Sequence, residues 1–347
     1  MKAGLRFGVA AGLLFAAQIA GGAPAKAQSL EAFFGAHPFT IVVGYPPGAG
    51  YDLYARLIAR SMGQYLPGTP KVVVQNMPGA GSLTAANYLY SIAKQDGSVI
   101  GTFSRGMTML PLVDSTGVRY DSLKFNWIGS PSGEVSLAIS WHDSGITQFE
   151  DLRTKGMTSA TSGPGSDGNI YGRVLNIVLG TKIKTVTGYQ GSAQSMLAME
   201  RKEVDGATSV SYAAIKTAHR DWIEKKQIHL LAQHALKPHP ELKGVPVIVD
   251  FAKSEDDRRV LEMVFARQAI GYPYTAPPNV PADRLEAIRK AFQATMQDPE
   301  FLAATAKAGL LVDSMTGQQV QALLQSLYSM PPEIAERAKA AMQPPQK

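Results

Sequence analysis

One order recurs along this chain and constrains it most: a β-branched apolar run, a Gly- and Pro-rich turn, then an amphipathic helix. Residues 39–45 (FTIVVGY) read as a strand buried on both faces. A turn from Pro46 to Gly50 follows, and Asp52 opens a helix carrying Leu53, Leu57 and Ile58. Residues 71–75 form the next expected strand, followed by PGAG at 78–81, a helix over about 82–94 and a third strand over 98–103. The order then restarts. Strands are expected at 137–141, 157–161, 184–187, 204–210 and 228–233, with helices at 167–179 and 193–201. After a Pro-punctuated stretch at 272–278, helices take over at about 282–296, 299–308, 317–328 and 332–342. Strands alternating with helices predict α/β sheets that are mostly parallel and flanked by helices.

At 347 residues with 45% hydrophobic content, the chain suits two domains better than one. Two lobes in simple succession are one arrangement. The favoured arrangement has the chain cross near Asn126–Pro131 and return near Arg267–Pro278. Lobe one is then 28–126 plus 272–347, lobe two is 127–271, the cleft lies between them, and the last helices pack on lobe one.

The first residues are expected to be a leader. Lys2 and Arg6 precede an apolar run from Phe7 to Ala17, and Ala25, Lys26 and Ala27 form an A-x-A cleavage signal before Gln28. Residues 1–27 therefore read as a secretory signal peptide, and the mature chain as soluble. Removing Lys2, Arg6 and Lys26, with no acid, takes the formal net charge from +6 to +3. The remaining basic residues are scattered, so nucleic acid is not an expected partner. The absence of cysteine excludes disulfides, thiol catalysis, Cys-ligated metal and a lipidated N-terminal Cys, and an exported chain of this kind fits a bacterial periplasm.

Two of the turns join a strand end to a helix start in a way that suits an anion. The first contains Tyr45, Pro47, Gly48, Ala49, Gly50, Tyr51 and Asp52; the second runs from Ser162 through Gly163, Gly165, Ser166 and Asp167 to Asn169. Ligands of parallel α/β sheets bind at the carboxyl ends of strands. A helix N-terminus there offers unpaired N–H groups and about half a positive charge, and glycine lets the backbone come close. Two such turns, one per lobe, are expected to clamp a carboxylate. Taken singly, each is also an ordinary capped connection, with Asp52 and Asp167 as helix-start residues. Tyr45, Tyr51, Tyr171 and Tyr189 flank the turns, either as core residues or as cleft walls, and Arg105 after the third strand is positioned to pair with a second carboxylate.

Other chemistries lack their signatures. No P-loop is present, Leu53 breaks G-x-G-x-x-G after Gly48 and Gly50, and no G-x-S-x-G elbow occurs. The six histidines (37, 142, 219, 229, 234 and 239) show no metal-binding spacing, and His229, His234 and His239 are expected on the surface or in loops. No cofactor or metal is expected. An enzyme on this scaffold would have to use Asp52, Asp167 or Asp205, none of which has an evident base–nucleophile partner.

At these same residues the chain resembles the Bug receptors, the solute-binding components of tripartite tricarboxylate transporters. Val42 to Asp52 is similar to their V-x-F-x-P-G-G-G-x-D, with Tyr45 for Phe and Ala49 for Gly. QNMPGAG at 75–81 is similar to N-x-P-G-A-G-G, QDG at 95–97 to their D-G, and SGPGS at 162–166 to S-x-G-x-G-S. Residues 186–191, with Tyr189 and Gly191, resemble Y-x-G; Glu203 to Asp205 resemble G-x-V-D; Ala276, Pro277 and Pro281 resemble A-P-x-x-x-P. The resemblance spans nearly the whole mature chain. It implies a monomeric, Venus-flytrap-like periplasmic binding protein that is not an enzyme. Such a receptor holds a small di- or tricarboxylate or related organic acid by hinge closure and docks on membrane permease subunits. A receptor reporting the solute to a membrane signalling kinase is the alternative. Tyr51 in place of a small residue, the added charge of Asp167, Asn169 where His is common and Glu203 for Gly depart from the pattern.

Overall fold

The computed structural model describes Met1 and residues 29–343, apart from positions 49, 114, 164–165 and 190–191. The expected signal peptide lies, past Met1, outside the described residues. Strands β1 (Phe39–Val43), β2 (Val72–Asn76), β3 (Val99–Thr102) and β4 (Asn126–Ser130) begin a first sheet. Strands β5 (Ser136–Trp141), β6 (Met157–Thr161), β7 (Ile183–Thr187), β8 (Gly206–Ser211) and β9 (Ile228–His234) make a second. The chain then returns through β10 (Tyr274–Ala276) and β11 (Met315–Thr316). The strand orders are β11-β4-β10-β3-β1-β2 and β7-β6-β8-β5-β9.

Both sheets are mixed. Parallel pairing holds β2–β1–β3 and β7–β6–β8. The strands that carry the chain between lobes run antiparallel to their neighbours: β10 to β3 and β4, β5 to β8 and β9. The reason is topological, since a chain that leaves a lobe and returns must do so in the opposite direction. Burial follows position. β1, inside its sheet, buries Phe39, Ile41, Val42 and Val43, whereas β2 at the edge leaves Val73 exposed.

The first crossing falls later than the expected boundary at 126/127. β4 pairs in the first sheet, where Trp127 and Ile128 are fully buried, so the chain crosses over 131–135. The outgoing and returning segments are tied together. Ser130 Oγ donates to the Ser132 and Ile270 carbonyls, the Tyr272 N–H donates back to Ser130 Oγ, and Glu134 N–H donates to the Gln268 carbonyl. Gly271 sits so close to the outgoing segment that a Cβ would meet Ser132 O at 2.4 Å.

The late helices do not all pack on lobe one as expected. Helices Ala282–Gln297 and Pro299–Lys307 pack on helix Gly50–Met62, and Gly317–Tyr328 packs on β4. The C-terminal helix Pro332–Met342 touches the short helix Leu110–Val113 of the first lobe but lies mainly on helices Asp167–Leu179 and Glu255–Ala269 of the second. Its apolar stripe of Ile334, Ala338 and Ala341 is buried there, and Arg337 pairs with Asp257 at 2.6 Å. The stripe joins one apolar cluster that runs from Trp127 and Phe103 to Tyr171 and Phe265, so the lobes share core as well as hinge strands.

Candidate functional site

The first turn is closed on itself. Asp52, 1% exposed, accepts from the Gly48 N–H (2.8 Å), Arg56 Nε (2.8 Å) and Asn76 Nδ2 (2.8 Å). Asn76 also donates to the Tyr45 carbonyl (2.9 Å), which fixes the end of β1 against β2. Burial alone would raise the Asp52 carboxyl, but its hydrogen bonds from Arg56, Gly48 and Asn76 hold it below the ordinary aspartate value. Gly48 has φ +88°, a conformation that suits glycine. The Tyr45 ring stacks on Tyr51 (centroids 4.5 Å apart), and Tyr51 lies against Tyr272. The Tyr51 hydroxyl donates to the Gly271 carbonyl and accepts from the Arg105 N–H, both at 3.0 Å. Pro47 is exposed, and Gly50 sits 3.4 Å from the Tyr272 ring at its Cβ position.

The second turn stays open. Ser166 is the N-cap of helix Asp167–Leu179, yet its hydroxyl does not cap the helix. Its Oγ donates instead to the Gly163 carbonyl at 2.7 Å. Among the described residues no acceptor meets the N–H groups of Asp167 and Gly168. They face a cavity of about 150 Å³ whose polar wall is Thr161, Ser162, Ser166, Ser195, Thr208 and Ser209. That space holds several waters, enough for a carboxylate and a short chain. A helix start with free N–H groups, ringed by hydroxyls, suits an anion.

Two arginines reach this turn from different elements. Arg105, after β3 in the first lobe, places Nη2 3.2 Å from Asp167 Oδ2. Arg267, in the last turn of helix Glu255–Ala269, places Nη2 2.8 Å from Asp167 Oδ1. Arg267 also donates to the Tyr171 hydroxyl (3.2 Å) and lies over its ring, and Gln268 Nε2 donates to the same hydroxyl (2.7 Å). Burial would raise the Asp167 carboxyl; Arg267 and Arg105 outweigh it and hold the group ionised below the usual range. Glu134 approaches Arg105 at 3.8 Å and accepts from the Tyr272 hydroxyl at 3.3 Å. Beyond Glu134 a second cavity, about 320 Å³, opens between the lobes, walled by Tyr54, Tyr212, Tyr272, His239, Glu241 and Asp313 among others. Neither cavity is lined by both turns; the turns connect through Tyr51, Arg105 and Asp167.

Several expected site residues lie elsewhere. Asp205 is at the wrong end of the lobe: its carboxylate accepts from Thr158 N–H and Oγ1 at the start of β6, while the cavity is at the strand ends. Asn169 turns inward, donating to Thr185 Oγ1 (2.9 Å). The Tyr189 N–H stays near the turn, on the Thr161 carbonyl, but its hydroxyl leaves for Glu203 (3.3 Å). Tyr171 is core, wholly buried. Ala49, Gly165 and Gly191 lie outside the described residues. His234 is not a surface residue. It is fully buried, stacked on Phe265 at 4.8 Å and 3.1 Å from Ser136 Oγ. Burial pushes it down to about 3, too weak a base to activate that serine near neutrality. Arg267, Glu134 and Thr208 were not legible as site residues, because each reads locally as an ordinary helix, connection or strand residue.

A sequence model of the family described as "Tripartite tricarboxylate transporter family receptor" matches residues 54–337. The "UPF0065 protein in the TAR-I ttuE-ttuC' intergenic region" of Agrobacterium vitis is 26% identical over 280 residues, covering 78% of this chain and 75% of that protein. A TctC solute binding protein from Polaromonas, solved without ligand, superposes with a TM-score of 0.68 at 16% identity, over 88% of this chain and 97% of that one. An R. palustris protein with adipate gives 0.59 at 18% identity, over 87% and 97%. At these identities the structural likeness establishes the two-lobed α/β fold.

Proposed function

The chain belongs to the tripartite tricarboxylate transporter receptor family, whose members are solute-binding receptors and not enzymes, and from that premise we propose that it captures a small carboxylate in the periplasm. A di- or tricarboxylate or a related organic acid is the proposed class, and the membrane permease of a tripartite tricarboxylate-type transporter is the proposed recipient. The adipate carried by the R. palustris neighbour is one acid of that class.

The observation that carries this reading is the open helix start of the second turn. Asp167 and Gly168 present free N–H groups to a cavity walled by six hydroxyl-bearing side chains. A hydrogen bond to a charged group contributes about 1.5–3 kcal/mol. Three or four, less ordering costs, reach the roughly 8 kcal/mol of a micromolar complex. The first turn has a different part in this reading. Its Gly48 N–H is committed to Asp52, so it shapes the facing wall through Tyr51 and Arg105. An acid touching both lobes prefers the closed state and shifts the population towards it; that state is the one a permease would read.

A thermal-shift screen of mono-, di- and tricarboxylates tests the proposal. A bound acid raises the melting temperature, with about 2.7 kcal/mol of stabilisation at a hundredfold excess over Kd. Gly168→Val places a side chain against Thr161 Cγ2 and Thr208 Oγ1, 3.2 and 3.4 Å from the Cβ position, and should abolish the shift while the chain still unfolds cooperatively. A panel without any stabilising acid would count against carboxylate capture.

A further inference from the structure

The arginine pair is better built than a chance ion pair. Arg105 and Arg267 are 19% and 16% exposed, and both are held by groups other than Asp167. Tyr51, anchored on Gly271, fixes the Arg105 backbone, and Tyr171, anchored by Gln268, fixes the Arg267 guanidinium. The carboxylate between them is the looser partner: Asp167 is 37% exposed and sits on the first residue of its helix. A helix start already favours an acid there, so Asp167 does not need two arginines for its own stability. Asp167 also lines the hydroxyl-walled cavity, so the arginines stand beside the place where a ligand carboxylate would rest.

Formal charge decides how such a ligand could use them. Arg105, Arg267, Asp167 and Glu134 sum to zero. An incoming carboxylate gains the full attraction of the arginines only as Asp167 gives up its place. We propose that Arg105 and Arg267 form a second carboxylate subsite, that Asp167 occupies it as a tethered stand-in in the ligand-free protein, and that a dicarboxylate takes the site by exchange with Asp167. This rests on carboxylate capture as proposed above. Asp167 thereby sets affinity: while it fills the subsite, the competent fraction, and so the apparent affinity, is reduced. Because Arg105 belongs to the first lobe and Asp167 to the second, the stand-in also holds the lobes together without ligand.

Two measurements on the mature full-length chain test this. The first uses no ligand. Small-angle scattering should give a larger radius of gyration for Asp167→Asn than for wild type, and an unchanged radius would overturn the stand-in. The second is calorimetric titration with adipate and with hexanoate, which has the same carbon count and one carboxylate. Asp167→Asn should bind adipate about tenfold more tightly than wild type, with a smaller change for hexanoate. Arg267→Gln should reduce adipate affinity towards that of hexanoate. Adipate binding that is unchanged or weaker in Asp167→Asn, or an equal gain for both acids, overturns the exchange. If neither acid binds either protein, the exchange subsite is overturned, and the wider thermal-shift panel of acids decides whether carboxylate capture itself fails.

Discussion

The two glycine turns share one plan, a strand, a glycine nest and a helix with an early aspartate, yet they use the acid in opposite ways. Asp52, the third residue of its helix, folds back and spends its carboxylate on Gly48, Arg56 and Asn76 of the same lobe. Asp167, the first residue of its helix, reaches out to arginines of two different elements. The first turn is thus self-sufficient, and the second is left open beside a cavity. The difference teaches that a strand–glycine–helix signature specifies a backbone nest but not the work of its side chain. A shift of two residues at a helix start turns an internal cap into an outward contact.

The largest expected effect is a pH dependence that sets a buried histidine apart from the two turn aspartates. His234 of the second lobe is held neutral, down to about 3 from its ordinary 6.5. The folded value is depressed, so the unfolded chain takes the proton first; stability is full above about 6.5 and falls by about 1.4 kcal/mol per pH unit, or about 5 kcal/mol by pH 3. Asp52 and Asp167 are depressed carboxyls, and the stability they lend persists until the pH falls below about 4. Denaturant melts of His234→Gln between pH 7 and 4 should therefore be flatter than wild type, and parallel slopes would remove His234 from this role.

Next in size is Asp52→Ala. It takes the carboxylate away from the exposed Gly48 N–H and the half-buried Asn76 amide and should cost about 1–3 kcal/mol in urea unfolding. A cost under about 1 kcal/mol would mean the first turn is not held by its own acid. The glycines sharpen the contrast. Gly48→Ala meets no neighbour within 4 Å, but its φ of +88° should make it cost about 1–2 kcal/mol. Gly163→Ala also meets nothing, at ordinary φ, and should stay within about 0.5 kcal/mol of wild type. Equal effects would erase the distinction between the turns. Asp167→Asn is also small, since its partly exposed pairs should change unfolding stability by less than about 1 kcal/mol.

Much of this was legible in the sequence. The helices at 167–179, 317–328 and 332–342 and the strands flanking both turns follow from apolar period and punctuation, which are local properties. The neighbourhood of the site was legible as well, because glycine nests at strand ends have few uses. The rest depended on direction, which no local pattern encodes. Asp205 adjoins a strand of the right lobe, but it precedes β8 and so stands at the end away from the cavity. His234 ends a strand whose position beside β5 buries it under Phe265. Arg267 reads as a cation in the last turn of a helix, a common and favourable place; only the packing of that helix on Tyr171 aims it at Asp167. The C-terminal helix carries an apolar stripe that fits either lobe, and only the fold decides that it lies on the second.

The central claim is that the open turn of the second lobe is where an acid is held. A crystal structure of the protein with adipate tests it most directly. One carboxylate should lie about 3 Å from the N–H groups of Asp167 and Gly168, inside the ring of hydroxyls. Adipate lodged in the cavity of Tyr54, Tyr212 and Tyr272, with nothing at the start of helix Asp167–Leu179, would contradict it.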